Sequence, residues 1–155
     1  MKTRTAQVED AENIANLVNI AFRPERFFIT ADRTNPEKVR ALMQKGKFLV
    51  SEEADALTGC VYVELREEQH GYFGLLAVQP KLQRAGLGSA LIAAGEKYCR
   101  AAGCRFMDLT IVNLRIELPA FYHRHGYFES GTLPFPSEQS PNQPCHLVKM
   151  SKPLV

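Results

Sequence analysis

Between Gln83 and Ser89 the chain reads Gln-Arg-Ala-Gly-Leu-Gly-Ser, after an apolar run that ends at Val78 and a turn opened by Pro80. Gly86 and Gly88 let the backbone approach a ligand closely and adopt positive φ. The first N–H groups of a helix have no intrahelical acceptor, and the helix dipole makes that end an anion site. Arg84 adds a charge-assisted donor for phosphate. These residues together predict a cradle for phosphate or pyrophosphate at the start of the next helix. Three phosphate-binding patterns compete for the segment. A Walker A loop needs GxxxxGK followed by Ser or Thr, and the sequence has no such string. A GxGxxG dinucleotide fingerprint fits Gly86 and Gly88 but meets Leu91 at its third glycine, and it belongs after the first strand of a parallel βαβ unit. The third pattern, Gln or Arg-x-x-Gly-x-Gly after an apolar strand, fits Gln83, Gly86 and Gly88. A tight turn that binds nothing would use the same two glycines.

Periodicity supplies the framework for this loop. Residues 3–7 read as a short strand. Ile14, Leu17, Val18 and Phe22 form a helical stripe over 8–22, favoured at its start by Asp10 and Glu12 and stopped by Pro24. A second helix over 36–45 has Pro36 in its first turn and Gly46 past its end. The period then changes. Residues 47–51, 57–66 and 72–78 are β-rich runs divided by polar turns, an antiparallel meander. After the glycine loop, Leu91, Ile92, Gly95, Tyr98 and Cys99 give one helical face over 89–102. Residues 105–112 form a buried strand, and 116–125 a last helix with Pro119 confined to its first turn. Residues 127–130 and 146–151 are closing strands around a proline-rich loop, Pro134 to Pro144. The order β-α-α-β-β-β-α-β-α-β-β describes an α/β domain on a mixed sheet.

Composition sets the outer limits. A chain of 155 residues suits one domain. The net charge, 19 − 17 = +2, excludes a polyanion binder built on charge alone. Four cysteines without a CxxC pair suggest a reducing compartment, and the polar start and the lack of a long apolar run suggest the cytoplasm, with no membrane span. His123 and His125, two apart on a helix, face different ways and predict no metal site.

Residues 113–127 read NLRIELPAFYHRHGY. Combined with QRAGLG, this stretch resembles the GNAT superfamily of N-acetyltransferases, and the resemblance covers nearly the whole chain. It implies a single domain over 1–155 of the GNAT type: α/β (α+β), a mixed and mostly antiparallel sheet with helices on both faces. It implies that acetyl-coenzyme A lies between two splayed strands, here 72–78 and 105–112. The backbone of Leu76, Ala77 and Val78 would pair with the pantetheine amides. The amides of Gln83, Arg84, Ala85, Gly86, Leu87, Gly88 and Ser89 would hold the pyrophosphate. Asn113 matches a family position that contacts the cofactor; its other reading is a helix cap. Tyr122 matches the tyrosine near the coenzyme A sulfur; its other reading is a packed aromatic beside Phe121.

The implied reaction has an amine attack a thioester while a thiolate leaves. A thiol pKa near 8.5 already makes that a fair leaving group, and a phenol near 10 can donate to it. A backbone N–H near Val78 would face the carbonyl oxygen. The amine must first lose a proton. The strand before the glycine loop carries no carboxylate, so Glu64 on the preceding strand is the expected base, with an outward-facing strand residue as its other reading. Glu117, His70, Tyr72 or a water chain would substitute for it. The expected partners are a small-molecule or peptide amine acceptor, with no nucleic acid, no membrane and no metal; a homodimer is a family habit. Arg23, Arg26 and Arg33 border the expected acceptor side, where they would either receive an acidic substrate or form a solvated loop, and Phe27 and Phe28 either line that pocket or simply pack. The loop over 131–145 caps either that side or a dimer contact. The alternative function is a non-catalytic module of the same fold that senses acyl-coenzyme A.

Overall fold

The computed structural model describes residues 2–155. Among these, four helices flank one seven-stranded sheet of order β1-β2-β3-β4-β5-β7-β6. The strands are β1 (Lys2–Thr5), β2 (Lys47–Glu53), β3 (Ala56–Leu65), β4 (His70–Val78), β5 (Phe106–Val112), β6 (Phe128–Pro134) and β7 (His146–Pro153). Every neighbouring pair is antiparallel except β4 and β5, which run parallel. This is the mixed, mostly antiparallel sheet that the sequence resemblance implies.

Helix α1 (Ala11–Ala21) buries Ala11, Ile14, Ala15, Leu17 and Val18; three of these belong to the stripe read from the sequence, whose fourth member, Phe22, follows the helix and is half-buried. The helix starts later than periodicity predicts, because residues 8–10 form a 3₁₀ turn. Helix α2 (Pro36–Met43) is capped by Asn35, whose Oδ1 accepts from the Lys38 amide at 2.9 Å. Both helices pack on one sheet face over Phe48, Val50, Cys60 and Tyr62. Helices α3 (Leu87–Ala101) and α4 (Leu118–Arg124) cover the other, over Val61, Val63, Phe73, Met107 and Leu109. Strand β3, central and covered on both faces, is buried from Leu57 to Val63 without alternation. The last strands run longer than read from sequence, with β6 reaching Pro134 and β7 reaching Pro153. Among the described residues no helix is long and apolar enough to cross a membrane.

The sheet parts in its middle. Strands β4 and β5 pair only at His70–Phe106, Gly71–Met107 and Tyr72–Asp108, and then diverge. Beyond that point each keeps its outer neighbour: Ala77 and Val78 stay paired to β3, and Leu109–Val112 to β7. Two cleft-facing backbone edges are therefore left without a strand partner. A bulge sharpens the divergence. The β3–β4 register shifts between Cys60 and Tyr62, opposite Ala77 and Gly74, and Leu75 adopts φ +50°. An extra residue of this kind bends its strand and re-aims the residues beyond it.

Candidate active site

The parted strands open into a cavity of about 680 Å³. Its two long walls are β4 from Tyr72 to Val78 and β5 from Leu109 to Val112. A backbone edge without a partner suits an extended ligand carrying amides, which adds to it as a strand would.

One end of the cavity is the glycine loop. Gly86 sits at φ +83° as the residue before α3 and holds the left-handed turn that lets the helix begin at Leu87. That start is two residues earlier than periodicity predicts, so Gly88 and Ser89 fall in the first helical turn, where N–H groups lack intrahelical acceptors. Gln83, Arg84, Gly86, Gly88 and Ser89 line the cavity here. The Gln83 side chain donates to the Val78 carbonyl at 3.3 Å and ties the loop to the strand end. Of the residues read as cradle, Ala85 is exposed and Leu87 packs into the core beneath α3. His125 joins the cradle from α4. Its Nδ1–H donates to the Phe121 carbonyl at 2.9 Å, and its Nε2 shares a hydrogen bond with the Ser89 hydroxyl at 2.9 Å. His123 instead contacts Glu129, so the two histidines serve separate partners.

Tyr122, on α4, lines the cavity. It packs edge-on against Phe121 at 5.0 Å, so the packed-aromatic reading also holds for its ring. Its hydroxyl has no protein partner among the described residues, and burial pushes its pKa above the ordinary phenol value. The group stays protonated and has its hydrogen free to donate.

The lining carries three further charges. Glu25, in a 3₁₀ turn after α1, lines the wall beside Arg33 and Arg115. Arg115 Nη1 donates to Glu25 Oε2 at 3.0 Å and its Nε donates to Glu117 Oε2 at 2.8 Å. Burial raises the Glu25 carboxyl above its ordinary value, against the pull of Arg33 and Arg115. Sequence reasoning missed Glu25, because its segment follows no period. The available signal was an acid immediately after Pro24, in a stretch otherwise rich in arginine and expected to border the acceptor.

Other expected groups lie elsewhere. Glu64 is not part of the cavity lining. It accepts from the Tyr62 hydroxyl at 2.6 Å and from Arg66 at 2.7 Å. Burial alone would raise its pKa, but those two donors outweigh it and hold the carboxyl below its ordinary value. Tyr72, its cross-strand neighbour, does reach the cavity. His70 sits at the paired end of β4 and bonds Asp108 at 2.6 Å. Asn113 caps no helix: its Oδ1 accepts from the His146 amide at 2.8 Å and fastens the start of β7, outside the cavity lining. Arg26 pairs with Asp32. Phe28 is fully buried against Phe27 and Phe135. The proline-rich loop leans over the cavity with Phe135, Pro136 and Gln139, and the Asn142 amide donates to the Phe28 carbonyl at 2.8 Å.

Comparison with known proteins agrees with this geometry. The chain is 27% identical over 129 residues to a mycothiol acetyltransferase of Amycolatopsis mediterranei, a match covering 78% of this chain and 43% of the relative. A second, from Actinosynnema mirum, is 28% identical over 120 residues, covering 77% and 40%. The chain thus spans less than half the length of these curated relatives. Its fold matches Ard1 from Thermoplasma volcanium with a TM-score of 0.82 at 19% identity, covering 99% of this chain and 97% of the other. It also matches an aminoglycoside 6′-N-acetyltransferase solved with coenzyme A, with a TM-score of 0.76 at 15% identity over 100% and 98% of the two chains. The model of the acetyltransferase (GNAT) family matches residues 11–127, which include both parted strands, the glycine loop and Tyr122, and the chain belongs to that family.

Proposed function

We propose that the protein transfers an acetyl group from acetyl-coenzyme A to a primary amine, by direct attack within a ternary complex. The observation that carries this reading is one cavity lined by the open β4 edge, the amide-rich start of α3, the unpartnered Tyr122 hydroxyl and the Glu25 carboxylate. The residues fit the donor. An open strand edge suits the pantetheine amides. At Gly88 an added Cβ would meet only Phe121, at 3.8 Å, so the helix start is bare on its cavity side. When bound, acetyl-coenzyme A supplies a thioester, so that an N–C bond forms as the C–S bond breaks and the sulfur leaves as thiolate.

The chain's own groups then have distinct tasks. Glu25 accepts the proton that the amine must lose, and its raised pKa makes it a better base than an ordinary carboxylate. The Tyr122 hydroxyl donates toward the departing sulfur. Arg84, Ser89 and the first amides of α3 hold the phosphates. The core-facing residues Phe73 and Leu109 keep water from the middle of the cleft. No Cys or Ser stands in a nucleophile frame, which favours direct attack over an acetylated enzyme.

The test pairs binding with turnover. Coenzyme A and acetyl-coenzyme A should both raise the melting temperature, while ATP and NAD should not. A screen of primary amines with thiol release as the signal should find turnover, and Tyr122→Phe should lower kcat by about 10²-fold. That is the low end for a positioned acid, because burial makes this phenol a weak one. Binding of both coenzyme A forms without turnover on any amine would leave an acyl-coenzyme A sensor. Absence of binding would remove the reading.

A further inference from the structure

We infer that the acceptor is a small zwitterion, an amine that carries a carboxylate in the same molecule, with Glu25 receiving the ammonium and Arg33 the carboxylate. This rests on the transferase reading and names the acceptor class of the same cavity.

The argument starts from unused hydrogen-bonding capacity. Three charged groups outside the glycine loop line the cavity, Glu25, Arg33 and Arg115, and Glu117 pairs with Arg115 from outside the lining. The formal charges of these four sum to zero. The hydrogen bonds among them are not shared evenly. Arg115 serves both carboxylates, through Nη1 and Nε. Glu25 uses only Oε2, and Oε1 receives no donor among the described residues. Arg33 has neither an ion-pair nor a hydrogen-bond partner among the described residues, although it faces the same cavity and lies near enough to Glu25 to pull on its titration. Its guanidinium is held against the Phe22 ring, 5.3 Å from the centroid, which fixes it in the wall.

A guanidinium cannot shed its charge, and taking it out of water without an anion is costly. The same holds for a carboxylate oxygen, such as Glu25 Oε1, once a ligand covers it without supplying a donor. A simple amine would satisfy Glu25, bring an extra positive charge to a neutral cluster, and leave Arg33 covered and unpaired. A zwitterion satisfies both groups and keeps the sum at zero. The planar fork of one guanidinium matches a carboxylate in two parallel bonds, whereas a phosphate dianion calls for more than one cation. The pantetheine arm and the acceptor must share the 680 Å³, and Phe135 and Pro136 form part of the same wall.

The experiment measures kcat/KM by thiol release for the twenty α-amino acids, β-alanine and 4-aminobutyrate, each beside its methyl ester. O-phosphoethanolamine serves as the phosphate arm and a tripeptide amide as the peptide arm. The best free acid should exceed its ester by about 10–100-fold, the usual worth of a hydrogen bond to a charged group. Arg33→Gln should reduce that ratio to within about twofold and leave coenzyme A affinity unchanged. Turnover that is best with an ester, a phosphate or the peptide amide would overturn the inference while leaving the transferase intact, as would a ratio that survives Arg33→Gln. If coenzyme A binds and no amine turns over, equilibrium dialysis of the same acid–ester pairs against the coenzyme A complex reads the preference directly, and equal binding overturns it. A chain that binds no coenzyme A fails at the transferase reading itself.

Discussion

Two carboxylates compete for the role of base, and their surroundings set opposite expectations. Glu25 lines the cavity and burial raises its pKa; Glu64 stands outside the lining, and Tyr62 and Arg66 hold its pKa down. A base works only when deprotonated, so the rate must fall as pH drops through the pKa of whichever group acts. With Glu25, the acid limb of kcat/KM, which reports the free enzyme, lies above the ordinary carboxylate range, because burial raises the folded pKa. Glu25→Gln should remove that limb and lower kcat by about 10²-fold or more. Glu64→Gln should leave the limb in place. The pH profiles of the two variants decide the matter, and loss of the limb in Glu64→Gln alone would return the role to Glu64. Tyr122 was legible in the sequence because it belongs to a local pattern, Tyr-x-x-x-Gly-Tyr, that one helix turn fixes. Glu25 was not. It reaches the cavity because α1 ends at Ala21, a 3₁₀ turn comes next, and Arg115 from 90 residues away holds it there. No local spacing encodes a contact at that separation.

At the scale of elements, the glycine loop makes a prediction that separates fold from function. Gly86 and Gly88 look alike in sequence and differ in structure. Gly86 has φ +83° with open space around its Cβ position, so any other residue there is strained by its backbone alone. Gly86→Ala should cost about 1 kcal/mol of stability. Gly88 lies within the first turn of α3 and has room for a methyl group. Gly88→Ala gains helix propensity, so the unliganded protein should melt at the same temperature or higher. Its methyl nevertheless narrows the cavity wall at the helix start, so the dissociation constant for coenzyme A should rise at least tenfold, about 1.4 kcal/mol. Melting curves without ligand, together with titration calorimetry of both variants, test this. A stable Gly88→Ala protein with unchanged affinity would take the phosphates away from this helix start. Element order and the positions of the helices could be read from periodicity, since each amphipathic stripe is local. The bulge could not. Its positive φ falls on Leu75, a residue type that gives no warning, and Gly74 beside it marks only that the strand is irregular. The splaying of β4 from β5 results from that bend and from the β3 register shift, neither of which leaves a period in the sequence.

On the scale of the whole molecule, the cleft leaves the sheet in two parts. β1 to β4 form one, and β5, β7 and β6 the other, joined within the sheet by three residue pairs. Other ties lie outside the sheet. At the closed end, Glu96 on α3 accepts from the Tyr127 hydroxyl at 2.7 Å and from Lys152 at 3.0 Å. At the open end, Arg115 reaches Glu25 and the Asn142 amide reaches the Phe28 carbonyl. A ligand that fills the cleft supplies a partner to backbone edges that the fold leaves bare. Coenzyme A at 100 times its dissociation constant should stabilise the protein by about 2.7 kcal/mol, a melting shift on the order of 5–10 °C for a chain of this size. Where that stabilisation resides is the sharper question. Hydrogen exchange should slow at the amides of residues 75–78 and at those of residues 83–89. The nucleotide portion alone, 3′-phospho-ADP, should slow exchange at 83–89 and leave 75–78 unchanged, because it lacks the pantetheine amides that would pair with β4. Equal protection by both ligands would mean that the β4 edge responds to loop ordering, and the strand-addition mode would then be wrong even though the phosphate cradle stands. Protection of 75–78 by coenzyme A alone would make the bare edge left by the Leu75 bulge the feature that converts a divided sheet into a binding site.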